Sequence, residues 1–145
     1  MKLFLDANVF FAAAGSPQGG SSFIITGATA KKWKIITVAH ALHEAERNID
    51  LKLSKDALTR HYKNLIECTP EIQPIDLLNL QQLAELGKFI TFKDVPILAG
   101  AILSKPDYLI TLDRKDFINN KRLKSLELEL QCIGLCLELV SGNYG

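Results

Sequence analysis

A three-layer α/β/α sandwich around a mainly parallel central sheet is the fold that this sequence predicts, on three observations. Short apolar or β-branched runs, among them LFL near the start, KIITV and YLIT, read as buried strands. Longer stretches of helical periodicity lie between them, and such alternation stacks helices on both faces of a parallel sheet. With 145 residues, 48% hydrophobic and 23% charged, the chain suits one domain over residues 1–145 with a full core.

The elements follow in order. Leu3 to Val9 reads as a buried strand, closed by the turn formers Gly15, Ser16, Pro17, Gly19 and Gly20. Ser21 to Lys32 is helix-like, Lys34 to Val38 is a second β-branched strand, and Ala39 to Leu53 is a charged amphipathic helix. Ser54 caps a helix reaching Glu67, with Ala57, Leu58, Leu65 and Ile66 as its apolar positions. Pro70 and Pro74 mark a connection, after which Asp76 is expected to cap a helix carrying Leu77, Leu80, Leu83 and Leu86 until Gly87 ends it. Val95 to Ser104 is a short, very apolar helix with Pro96 in its first turn, where proline is tolerated. Tyr108 to Thr111 is again a strand, and Leu126, Leu128, Leu130 and Cys132 alternate with polar residues at strand period.

Several functions are not expected, because the patterns they need are missing. No segment reaches the roughly 18 consecutive apolar residues of a membrane span, and Asp6 and Asn8 interrupt the apolar core that a signal peptide would need in MKLFL. Cys68, Cys132 and Cys136 lack CxxC spacing, so they read as buried thiols of a reducing cytoplasm. The loop GSPQGGSS has no GK[ST] ending and reads as a structural connection rather than a phosphate loop. His40, His43 and Glu44 do not reproduce HExxH, and no serine lies in GxSxG. Trp33, among Lys31, Lys32 and Lys34, reads either as a half-buried indole at a solvated helix end or as a nucleic-acid contact.

Four segments carry carboxylates in unusual settings. Asp6 stands in LFLDANVFF, Glu44 in ALHEAERNI, Asp94 in KDVPILAGAI, and Asp113 with Asp116 in YLITLDRKDF. Each has an ordinary account: Asp94 as a helix N-cap, Glu44 as a partner of Arg47, Asp113 as the start of a turn. Asp6 fits such an account least, because an unpaired buried carboxylate costs several kcal/mol or must take up a proton. Carboxylates converging to about 5 Å would repel by roughly 3 kcal/mol per pair at an effective dielectric near 20. A divalent cation is the natural compensation, and all-oxygen donors favour Mg²⁺ or Mn²⁺.

These same stretches, LFLDANVFF, ALHEAERNI and KDVPILAGAILSKPDYLITLDRKDF, resemble in content and order the PIN-domain nucleases, including the VapC-type toxin ribonucleases. The resemblance implies that Asp6, Glu44, Asp94 and Asp113 form an acidic quartet that binds Mg²⁺ or Mn²⁺. Asp116 then stands as the further acid of the TxDxxDF segment, a ligand or a group behind the ligands, and Asn8 and Thr111 orient ligands or bind phosphate. It implies hydrolysis of RNA phosphodiester bonds by an activated water, without a side-chain nucleophile, leaving 5′-phosphate and 3′-hydroxyl ends. The expected partners are RNA, a small antitoxin protein if the chain is the toxin of a pair, and a second copy in a homodimer, with no membrane.

Setting aside the five proposed ligands leaves 11 acidic against 17 basic residues, a surplus compatible with RNA. Candidate phosphate contacts are Lys31, Lys32, Lys34, Lys93, Arg114 and Lys115. Two other readings stay open at this level. One is a catalytically inactive PIN-like module that binds RNA or protein. The other is a haloacid-dehalogenase-type phosphatase with Asp6 as covalent nucleophile and Thr37 after the second strand, although Asn8 replaces the usual general acid.

Overall fold

The computed structural model describes residues 1–126, 128 and 130–131. Its strands are β1 (Lys2–Leu5), β2 (Lys34–Thr37), β3 (Glu71–Ile72), β4 (Tyr108–Ile110) and β5 (Leu130–Gln131). They form one sheet in the order β3-β2-β1-β4-β5 with every neighbouring pair parallel. Leu3 stands in register with Ile35 on one side and Tyr108 on the other. In β1, Leu3, Phe4 and Leu5 are all fully buried. Because successive side chains point to opposite faces, both faces of the sheet are covered, as a parallel sheet requires.

The helices are α1 (Ala7–Gly15), α2 (Gly20–Lys31), α3 (Ala39–Lys52), α4 (Lys55–Cys68), α5 (Leu80–Leu86) and α6 (Val95–Ser104). α1 packs on α2, α3 and α4, α4 packs also on α2 and α3, and α5 packs on α6, in keeping with the α/β/α layering expected from the alternation of strands and helices. No described helix is long and apolar enough to cross a membrane. α6 lies close on the sheet at Gly100, where a Cβ would stand 2.2 Å from Val38 Cγ1 and 3.0 Å from the Phe4 ring. The missing side chain sets the distance between that helix and the sheet.

Three expectations are corrected. The first strand ends at Leu5 rather than Val9, because Asp6 accepts the Ala7 N–H (2.6 Å) and starts α1. Val9, Phe10, Ala13 and Ala14 are then buried from a helix, and an apolar run alone does not tell the two apart. α5 begins at Leu80, capped by Asn79 in a reciprocal box with Gln82, so Asp76 is not the cap and Leu77 is left exposed. Trp33 is buried in the main core rather than half-exposed at a helix end. Ser54 does cap α4, accepting the Ala57 N–H at 3.2 Å. Of the last alternating run, Leu126 ends a 3-10 helix and Leu130 and Gln131 form β5, whereas Glu127, Glu129 and Cys132 lie outside the described residues, as does Cys136.

β1 continues through α1 and α2 to β2 on one flank, while β4 pairs with β1 on the other. The strand order therefore reverses between β1 and β4. In open α/β sheets ligands collect outside the carboxyl ends of the strands at such a switch point. Asp6 follows β1 there, and Thr111, Leu112 and Asp113 follow β4.

Candidate metal centre

A cleft of about 240 Å³ opens at this switch point, with Asp6, Asn8, Glu44, Asp94 and Asp113 in its walls. Asp94, Asp113 and Asp116 come closest together, each offering a carboxylate oxygen within 4.8 Å of the others. Asp116 is therefore placed with Asp94 and Asp113, while Asp6 and Glu44 stand in the cleft wall beside them. The spacing of Asp113 and Asp116 arises from a single π-helical turn, Arg114–Ile118. Asp113 Oδ1 caps it by accepting the Asp116 N–H at 2.9 Å.

Asp6 is 5% exposed and its oxygens are engaged by neighbours. Oδ1 accepts the Ala7 N–H, while Oδ2 accepts the Thr111 hydroxyl at 2.8 Å and the Asn8 amide at 3.3 Å. The same Thr111 oxygen accepts the Asp113 N–H at 3.0 Å, and Asn8 Oδ1 accepts the Leu112 N–H at 3.0 Å. Asn8 and Thr111 thus tie the end of β1 to the end of β4 and set the relative position of two acids. Even with these donors, burial pushes the Asp6 carboxyl up to about 6, with the nearby charges of Asp94 and Glu44 adding to the rise. Hydrogen bonding compensates this acid only in part.

Asp94 occupies the N-cap position of α6, but its side chain makes no capping bond. It accepts the Thr91 hydroxyl instead, at 3.0 Å, and is 8% exposed. Burial raises its pKa, and Asp113 and Asp116 raise it further, against the opposing effects of Thr91 and Lys93. The helix-cap explanation of this aspartate is thereby removed. Glu44 projects from α3 with His40 Nε2 at 3.8 Å, an ion pair only when the imidazole is protonated, and it does not pair with Arg47.

The donor set suits a hard divalent cation. It consists of carboxylate oxygens crowded into a partly desolvated cleft, where neighbouring like charges add to the raised pKa of Asp6 and of Asp94. Among the described residues no histidine or cysteine joins the trio, and an all-oxygen donor set of this kind favours Mg²⁺ or Mn²⁺ over zinc or copper. Cys68 is half-buried, with its thiol pushed up to about 11 by burial, and so is a poor nucleophile. Thr37 is fully buried and its hydroxyl donates to the Leu5 carbonyl at 2.8 Å. That leaves the phosphatase reading without its second-strand hydroxyl.

The basic candidates divide into two sets. Lys93 lines the cleft, and Arg114 and Lys115 are exposed on the turn between Asp113 and Asp116. Lys31, Lys32 and Lys34 lie at the amino ends of the strands, the opposite end of the sheet, where Lys34 pairs with Glu71 at 2.7 Å. Sequence reading missed Asn48 and Lys52, which also line the cleft. Their signal was present: Glu44, Asn48 and Lys52 repeat every four residues along one face of α3.

No family model matches the chain, and no curated protein matches it. Among solved structures, the chain is similar to a chain of VapBC2 from Rickettsia felis, determined bound to a DNA fragment from their promoter. The two are 17% identical with a TM-score of 0.67, and the match covers 91% of this chain and 98% of that one. This shows the fold, the one implied by the sequence resemblance to VapC-type PIN domains.

Proposed function

We propose that this PIN-fold chain is a Mg²⁺- or Mn²⁺-dependent endoribonuclease, and that it is the toxin partner of a small antitoxin protein. The observation that carries the reading is the meeting of Asp94, Asp113 and Asp116 within 4.8 Å, beside Asp6 and Glu44, at the switch point of the sheet. The antitoxin partner is supported by the fold shared with a chain of VapBC2.

Asp94, Asp113 and Asp116 would hold the ion, with Asp6 and Glu44 completing the acidic wall. When bound, the ion lowers the pKa of a water and neutralises charge on the scissile phosphate. The chain's own residues do the rest. Thr111 and Asn8 hold Asp6 in one orientation and pin the backbone that carries Asp113. Thr91 restrains Asp94. Lys93 and Lys52, on the cleft wall, attract the phosphate to a site that its acids alone would repel.

The test is cleavage of RNA by the wild type with Mg²⁺ or Mn²⁺, with and without chelator, beside Asp6→Asn and Asp94→Asn. Activity should require the ion. Each substitution should lower it by more than the roughly 10–100-fold typical of groups that merely support ligands. Metal-independent cleavage, or equal activity in all samples, would sink the assignment. RNA binding without cleavage under any metal would favour the inactive module.

A further inference from the structure

Glu44 and Lys93 line two adjoining hollows. One is the acid cleft; the other is a groove of about 290 Å³ whose remaining walls are His40, His43 and Arg47. Glu44 is the one acid of this groove, and it stands on the side shared with the cleft. His43 and Glu44 each lie three or four residues from both His40 and Arg47, so the four rise from a single face of α3. Among the described residues neither Arg47 nor Lys93 takes part in an ion pair, so both charges are free to meet a ligand. Neutral imidazoles still offer a ring N–H donor, so His40 and His43 contribute without needing a proton.

We infer that this groove holds the phosphate next to the scissile one in a single-stranded RNA. Arg47 and Lys93 supply charge, His40 and His43 supply donors, and the strand leaves the acids along α3. The inference rests on the nuclease reading above and extends it to the path of the substrate. A polymer with one phosphate at the acids must lay the next against adjoining surface. This groove shares Glu44 and Lys93 with the cleft and, with Arg47 and Lys93 against Glu44, carries the opposite sign. Lys31, Lys32 and Lys34, at the far end of the sheet, lie off this path.

The experiment is a fluorescence-anisotropy titration of the full chain with a labelled short single-stranded oligoribonucleotide. Ca²⁺ is present to neutralise the acids, and salt is varied. Arg47→Ala should weaken binding several-fold and reduce the log–log salt slope by about 0.7, the value for one phosphate contact on a single strand. Arg47→Lys should restore the slope. His43→Ala should raise KM in Mn²⁺ with kcat little changed. Lys105→Asn, at the amino end of β4, should change none of these. Wild-type affinity and slope in Arg47→Ala would overturn the inference. So would failure of the wild type to bind RNA. Arg47-dependent binding without hydrolysis in Mn²⁺ would leave the groove standing and remove the nuclease reading.

Discussion

Burial holds the Asp6 carboxyl up to about 6 against an ordinary value of 3.8, so the folded metal-free protein keeps a proton there that the unfolded chain has lost. A raised folded pKa contributes stability below about pH 4 that disappears as pH rises through about 6, at most about 3 kcal/mol for this shift. Asp6→Asn, similar in shape and unable to ionise, should therefore raise the Tm of the metal-free protein above pH ~7 and change it little below pH ~4, which thermal melts across pH will read. Since an ionised Asp6 adds negative charge beside the ion, Mn²⁺ affinity should climb as pH passes about 6. Thr111→Val removes a donor that lowers the Asp6 pKa, so it should move that climb to higher pH and cost activity roughly 10–100-fold. Asp6 was legible in the sequence because a carboxylate inside LFLDANVFF has no cheap explanation. Asp116 was only half legible: its place beside Asp113 depends on a π-helical turn that residue spacing does not announce.

Among the elements, α6 has the tightest fit. Its approach to the sheet leaves no room for a Cβ at Gly100, so Gly100→Ala should destabilise the fold by about 1–3 kcal/mol in denaturant titrations, the usual range for overpacking. Because α6 carries Asp94 at its amino end, the same substitution should also weaken Mn²⁺ binding. α4 is joined to α1 through His61, 1% exposed, whose ring stands edge-on to Phe10 at 6.2 Å with no hydrogen-bond partner for Nδ1. Burial lowers its pKa, so its contribution is complete above its ordinary value of 6.5 and is lost as pH falls. His61→Leu should flatten the loss of stability below that value. Helix positions with periodic leucines or a serine cap could be read in advance, as at α4. The start of α1 could not, since Val9 and Phe10 are buried equally well from a strand. α5 was misplaced because Asp76 and Asn79 are both good cap residues, and only the reciprocal bond with Gln82 chooses between them.

For the whole molecule, the parallel sheet followed from alternating apolar runs and helical stretches, and the strand order did not. That order, with β4 returning to the free side of β1, brings acids from four distant segments to one cleft. Sequence pattern suggested that they meet; topology supplies the reason. The groove beside the cleft was harder to foresee, because His40, His43 and Arg47 look like ordinary surface residues until Lys93 arrives from another element to close it. The central claim is that the acids form one site for a divalent cation. Calorimetric titration of Mn²⁺ into the metal-free protein, beside Asp94→Asn and Asp116→Asn, tests it most directly. Saturable binding in the wild type, weakened at least about tenfold in both variants, is the predicted result. Equal binding in all three proteins, or none in the wild type, would contradict it.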